Sequence, residues 1–466
     1  MADPTTRPGH LEAAAPTADS SGPGPDAAAA DTAAAVDPVD VGRRRFFRQF
    51  AGELANTAAM AIGAAQALQQ TSAELAGAIL DPTRLALEDA APGQSGIDVA
   101  ATTPVFRTSF RLERNQIRFV DQRALPGRIA EHSSGSAAEV TWAIRHDVVI
   151  GGPAIAQAAV TGLALTADRI RTSRPYARRA TLRGAANALM NASPTHAALR
   201  SAVERAMAAY ESVGELSEDG DAIADAFHAA ADAVVAEAAA DHGRLVDAGL
   251  AAVDAMAPRA PGPDPDEKDD AAEAGPLRLL IHGPSGALAG GQFGTALAIA
   301  IAAHHAGRAV HVLVPEARPT FVGARVSCWE LAGAGVPHTL IADAAGPALI
   351  GAGDVDAVLV PADRVASNGD VGATVGTYGL ALAAARAHVP FLVCAPATSV
   401  DRATPDAAAI TIATRPAAEL ETVNGTSIAP PGTEARVPLH DVTPAELVTG
   451  FITGEGLRHP PFGPEA

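Results

Sequence analysis

The sequence predicts an α/β protein, with a parallel-sheet domain over its C-terminal part and a mostly helical domain before it. Beyond residue 277, short apolar runs at 277–282, 310–315, 338–342, 355–361 and 391–395 alternate with helical patterns near 294–306, 325–334 and 377–388. Strands apolar on both faces and separated by helices form a parallel sheet covered on both sides. From 137 to 256 the apolar spacing is helical instead, with Ala- and Leu-rich stretches at 197–210 and 222–239. At 466 residues the chain is long enough for two or three domains with sizeable cores.

Residues 1–42 are Ala, Pro, Asp and Thr with almost no large apolar side chains, so they cannot offset the entropy of ordering and are expected to be disordered. Residues 43–85 read as a basic-tipped amphipathic helix, with apolar positions Phe50, Leu54, Ala58, Ala61, Ala65 and Leu68 at helical spacing. Its start, Arg43-Arg44-Arg45-Phe46-Phe47-Arg48, has the look of a twin-arginine export motif. The uncharged stretch that follows contains Asn56, Thr57, Gln66, Gln69, Gln70 and Thr71 and is too weakly hydrophobic to span a bilayer. An acidic arm ahead of the arginines is also unlike an export signal. The helix is expected to dock on the body of the protein or on a protein partner.

A hairpin is expected where Phe106, Phe110 and Leu112 face Ile117 and Phe119 across Asn115-Gln116, opening a helical domain over 105–256. Residues 257–276, with the run Asp266-Glu267-Lys268-Asp269-Asp270, read as an acidic linker before the sheet domain at 277–464.

The net charge of −19 argues against nucleic acid or an anionic membrane as the main partner. Two cysteines, Cys328 and Cys394, both within apolar segments, give no disulfide framework and no zinc spacing, and they fit a reducing cytoplasm. No cofactor or metal is expected.

In parallel sheets ligands bind at the carboxyl ends of the strands, and three of those ends carry unusual sequence. Gly283-Pro284-Ser285-Gly286, followed by Gly290-Gly291, suits either an anion wrapped by backbone N–H groups or a tight turn with close helix packing. In Pro361-Ala362-Asp363-Arg364-Val365-Ala366-Ser367-Asn368-Gly369-Asp370, two roles are open to Asp363. It can be a partly desolvated general acid or base, or it can cap the turn and pair with Arg364. Arg318 and Arg325, with Glu316 and Glu330, suit a phosphate or carboxylate as well as they suit salt bridges.

Read together, these segments resemble the methylthioribose-1-phosphate isomerase and translation initiation factor 2B α/β/δ family. The stretch Glu316-Ala-Arg-Pro…Gly323-Ala-Arg-Val-Ser-Cys-Trp-Glu-Leu331 is similar to the family's E-x-R-P…G-A-R-x-x-x-W-E-L. Ala362-Asp-Arg-Val-Ala-Ser-Asn-Gly-Asp370 with Gly376-Thr-Tyr378 is similar to its A-D-R-x-x-x-N-G-D…G-T-Y. Asp441-Val-Thr-Pro-Ala-Glu-Leu447 resembles its closing segment, while Asp121-Gln-Arg-Ala-Leu-Pro126, Gly151-Gly-Pro-Ala-Ile155 and Thr172-Ser-Arg-Pro175 fit its helical domain. The likeness runs from about Val105 to Pro464.

The resemblance implies a Rossmann-like C-terminal domain, a helical N-terminal domain, a homodimer, and a sugar-phosphate site between the domains. In its catalytic members a Cys and an Asp interconvert an aldose 1-phosphate and a ketose 1-phosphate. Asp363 falls on the Asp position, and Arg174 and Asn368 fall on polar ligand positions. The Cys position, after the His that ends the first strand, is Gly283; Ser285 lies two residues on, but a hydroxyl is far less readily ionised than a thiol. Ile150 stands where the isomerases have Arg, Val322 where they have Gln, and Ala373-Thr374 where they have Asn-Lys. The expectation is therefore a binding or regulatory member with impaired isomerase chemistry, its substrate-binding residues being Arg174, Asn368, Ser285 and Gly286. The alternatives are an active isomerase with Asp363 as acid–base group, or a different enzyme pairing Asp363 with Ser285 or His282.

Overall fold

A computed structural model describes residues 108–256 and 275–459, apart from residue 424. The expected arm, the basic-tipped helix and all but the last two residues of the linker lie outside the described residues.

Two strands, β1 (Phe110–Glu113) and β2 (Gln116–Val120), form the expected hairpin. Arg114 adopts φ 53° in its tight turn, and Phe110 and Phe119 pack at 5.8 Å between ring centroids. A third strand, β3 (Glu131–Ser134), adds antiparallel to β2. Its sequence, Glu-His-Ser-Ser, has no apolar alternation, so the sequence reading does not contain it.

Five helices follow: α1 (Ala137–Arg145), α2 (Gly152–Ile170), α3 (Pro175–Met190), α4 (Ala197–Val213) and α5 (Gly220–Asp254). Ser136 starts α1 with a reciprocal cap: its hydroxyl accepts from the Glu139 N–H, and the Glu139 carboxylate accepts from the Gly135 N–H. Helix α2 is buried along nearly its whole length. Its composition of Ala, Gly, Val and Leu is what an all-round buried helix requires, since small side chains let its neighbours approach closely. The 35-residue α5 joins two cores. Ile223, Phe227 and Val234 pack into the helical domain, while Leu245 and Val253 pack against the sheet with Leu297 and Ile299.

The sheet domain holds a seven-stranded sheet in the order β16-β15-β10-β7-β4-β5-β6. Its members are β4 (Leu277–Ile281), β5 (Val310–Pro315), β6 (His338–Ile341), β7 (Ala357–Pro361), β10 (Phe391–Cys394), β15 (Gly450–Thr453) and β16 (Gly456–Arg458). All pairs are parallel except β15 with β16. Alternate residues of β7 serve opposite faces: Ala357 and Leu359 enter one core, Val358 and Val360 the other. A second sheet, absent from the sequence reading, has the order β11-β8-β9-β14 and is built from β8 (Arg364–Ala366), β9 (Val371–Thr374), β11 (Val400–Asp401) and β14 (His440–Thr443). Strands this short carry too few residues to show a period.

Among the described residues no helix is long and apolar enough to cross a membrane.

Candidate functional site at the switch point of the sheet

The chain leaves β4 for β5 on one side and later enters β7 on the other, so the crevice between the carboxyl ends of β4 and β7 is the topological switch point. Gly283 follows β4 and Asp363 follows β7. The two unusual loops therefore meet where a parallel sheet binds its ligand.

Asp363, its side chain 13% exposed, lies between two histidines. His196 Nε2 lies 3.2 Å from Asp363 Oδ1, and His440 Nε2 lies 3.4 Å from Oδ2. The imidazole rings are edge-on to one another, 5.4 Å apart between centroids. Burial alone would push the Asp363 carboxyl up, but the two imidazoles together outweigh it and hold the group below the usual carboxylate range. Burial holds His440 down at about 4, against the attraction of Asp363, so its imidazole is neutral at pH 7.

Each member of the trio is fixed by a different device. The Asp363 backbone donates to Gly372 and accepts from the Ala197 N–H, 3.0 and 2.9 Å, which docks the start of α4 onto this loop. Arg364 does not pair with Asp363. It forms a buried ion pair with Asp401 and donates to the carbonyls of Pro194 and Thr195, both at 3.1 Å. It thereby pins the segment that carries His196. Ser193 Oγ lies 2.8 Å from His196 Nδ1. His440 sits on β14, opposite Thr374 of β9.

The other expected site residues are placed differently. Ser285 is buried, and its hydroxyl bridges the Gly283 carbonyl and the Leu297 N–H at 3.3 and 3.2 Å, tying the turn to α6 (Ala296–His305), the helix before β5. Gly286 lies against Glu330, whose carboxylate would be 2.3 Å from a Cβ added there. Burial lifts Glu330 to about 7 despite the N–H groups that its carboxylate accepts, including that of Leu288. Asn368 is exposed and its amide is engaged with Asp370, side chain and backbone, at 2.8 and 3.0 Å. Arg174 is exposed at the start of α3, and no hydrogen bond or ion pair joins it to Asp363. Arg325 donates to the carbonyls of Thr320, Gln122 and Arg123. His282 is buried and donates from Nε2 to the Val375 carbonyl at 2.9 Å.

Gly283 has φ 90°, a conformation that favours glycine. A Cβ there would lie 2.8 Å from Thr374 Oγ1 and 3.3 Å from Pro361. Ile150 packs in a small apolar cluster with Leu125 and Leu288, and Val322 is buried. Cys328 is pushed up to about 12 by burial, and Cys394 is pushed up further. Neither is a nucleophile at neutral pH.

The fold and site define a class: an α/β protein with a parallel sheet preceded by a helical region, and a carboxylate at the switch point that meets a histidine from the helical part. Comparison with known proteins gives the family. The model of the initiation factor 2 subunit family matches residues 148–460. A methylthioribose-1-phosphate isomerase of Synechococcus sp. (strain CC9605) is 40% identical over 358 residues, which is 76% of this chain and 95% of that protein. The enzyme of the same name from Chloroflexus aurantiacus is 38% identical, covering 75% of this chain and 94% of its own. Among solved structures, 5-methylthioribose 1-phosphate isomerase from Pyrococcus horikoshii superimposes with TM-score 0.63 at 30% identity, over 76% of this chain and 93% of that one. Subunit delta of translation initiation factor eIF-2B from A. fulgidus does so with TM-score 0.60 at 28% identity, over 76% and 96%. This chain belongs to the family that unites methylthioribose-1-phosphate isomerases with initiation factor 2B subunits.

Proposed function

We propose that this chain binds a small sugar-phosphate-like ligand against Asp363 as a binding or regulatory member of its family, and that its aldose–ketose isomerase chemistry is impaired. The observation that carries this is Gly283. It has no side chain to supply the thiol mechanism, and its left-handed backbone and the 2.8 Å approach of Thr374 oppose one. Apolar Ile150 and Val322 support the same reading, because neither can donate to a phosphate oxygen. In this reading the protein is a cytoplasmic homodimer, and residues 1–80 are available to a protein partner.

The test is a thermal-shift screen of the purified chain with pentose 1-phosphates and methylthioribose 1-phosphate, followed by NMR of the sugar. Stabilisation should approach about 2.7 kcal/mol at a hundredfold excess of ligand over Kd, with no ketose formed. Ketose formation that Asp363→Asn abolishes would overturn the impairment. The absence of any shift at millimolar sugar phosphate would overturn the ligand class. Gel filtration checks the dimer.

A second reading is favoured by the two imidazoles that bracket the carboxylate. Asp363, held ionised at neutral pH, can act as a general base without a thiol, and the chain is then an isomerase whose proton moves through Asp363 alone.

A further inference from the structure

The trio around Asp363 has a property that acid–base work does not require. One ring nitrogen each of His196 and His440 and a carboxylate oxygen of Asp363 all lie within 4.8 Å of one another, and they come from three separate segments. We infer that these three side chains bind a divalent transition-metal ion of the zinc class, through two imidazole nitrogens and one carboxylate oxygen, with a coordination position left for an oxygen of a bound ligand. This goes beyond the proposed function and does not rest on it.

Donor spacing supports the inference first. Ligands held about 2.0–2.1 Å from a tetrahedral ion are separated from one another by roughly 3.3 Å. Here His196 Nε2 lies 3.2 Å from Asp363 Oδ1 and His440 Nε2 lies 3.4 Å from the other oxygen, Oδ2, so both rings face the one carboxylate at about that separation. The edge-on rings converge on the carboxylate instead of stacking on each other.

Preorganisation is the second support. Metal-ligating histidines are oriented by a partner on the other ring nitrogen, and Ser193 Oγ supplies one for His196. The Arg364 staple, the β9–β14 ladder and the Asp363 backbone bonds hold the three donors before any ion arrives.

Charge is the third. Two neutral imidazoles and one carboxylate leave a divalent ion with a net positive charge at the switch point. Ile150, Val322 and Thr374 line the same family positions without any charge. An ion held by the trio would give this site the cationic character that its side chains lack, and a phosphate or carboxylate oxygen would be its natural fourth ligand.

The experiment uses the full chain without an affinity tag, stripped by chelator and titrated with Co²⁺ and then Zn²⁺. One equivalent of Co²⁺ should give visible d–d bands of four- or five-coordinate intensity, which Zn²⁺ bleaches. His196→Gln, His440→Phe and Asp363→Asn should each weaken binding at least tenfold, and Ser193→Ala should weaken it less, within the roughly 10–100-fold range of an orienting partner. Circular dichroism melts of the metal-free variants establish that each is folded. Should one fail to fold, Ser193→Ala carries the test, because it removes only a hydroxyl from the far side of His196. Two results overturn the inference. One is the absence of d–d absorption at excess Co²⁺. The other is unchanged binding in His440→Phe and Ser193→Ala, which would place the ion on other histidines. Either leaves the sugar-phosphate screen unaffected.

Discussion

The loops that end β4 and β7 lie side by side at the switch point, and they have been treated in opposite ways. At the end of β4 the chain has closed down. Gly283 takes a left-handed turn, Thr374 fills the space beside it, and Ser285 spends its hydroxyl on the turn. The end of β7 is polar instead, with one carboxylate bracketed by two imidazoles and an arginine staple holding the segment that brings the first of them. The difference teaches that two neighbouring strand ends of one parallel sheet can be built in opposite ways, one as a packed turn and the other as a polar centre. Sequence identity near 40% over almost the whole length of an isomerase fixes the scaffold and leaves the chemistry to a few such positions.

The sharpest way to break the comparison is to cut the staple. Arg364 is buried against Asp401 and also serves two carbonyls, so Arg364→Met takes the cation from a carboxylate that keeps Thr404 and the Ala403 N–H, and a donor from each carbonyl. Loss of one member of a buried pair costs about 3–5 kcal/mol, and chemical denaturation should show a destabilisation of that size. The β7 end is then an ordered polar centre. A loss below about 1 kcal/mol, the size of a surface pair, would make it an ordinary solvated loop.

The next test is made at the other end. Gly283→Cys restores the family's thiol on paper, but the backbone at φ 90° and the 2.8 Å contact with Thr374 oppose it. Left-handed strain of about 1–2 kcal/mol and overpacking of about 1–3 kcal/mol should together destabilise the variant by about 2–5 kcal/mol. It should also show no isomerase activity. Pairing it with Thr374→Ala should recover part of the stability, because the nearest atom is gone. A single variant as stable as the parent, and active, would show that the β4 end had not closed.

The architecture was legible because its signals are local and repeated. Five apolar runs predicted five of the six parallel strands, all but β15, and Asn115-Gln116 between apolar flanks predicted the hairpin. Strands β3, β8 and β9 were not legible, since they are short or polar and gain their order from neighbours. The site was half legible. Asp363 stood out because a charged residue ending an apolar strand is unusual. His196 and His440 gave no such signal: one sits in the connection before α4, the other in a short strand far along the chain, and only tertiary packing brings them to one carboxylate. An Asp363–Arg364 pair was the natural alternative from adjacency. The structure shows why adjacency misleads here, because successive side chains at the start of a strand point to opposite sides and Arg364 reaches Asp401 instead.

The smallest expected effect tests whether the polar end is truly buried. His440 is held at about 4 by desolvation, below the value near 6.5 that the unfolded chain would show. The unfolded state therefore takes up a proton on this ring before the folded state does. The stability associated with neutral His440 is fully present above about pH 6.5 and is lost as the pH falls towards about 4. Its slope approaches about 1.4 kcal/mol per pH unit for one proton. Glu330, lifted to about 7, and Asp441, lifted to about 6 by burial, work in the opposite sense, because their folded forms take up protons first. The parent's own acid profile is thus a sum of opposing slopes, and only a difference isolates the ring. With chelator present, the stability of the parent minus that of His440→Phe should decline by about 1–3 kcal/mol between pH 6.5 and pH 4.5. A flat difference would mean that water reaches His440 in the folded state, and the contrast between a closed β4 end and a dry, polar β7 end would fail on its second half.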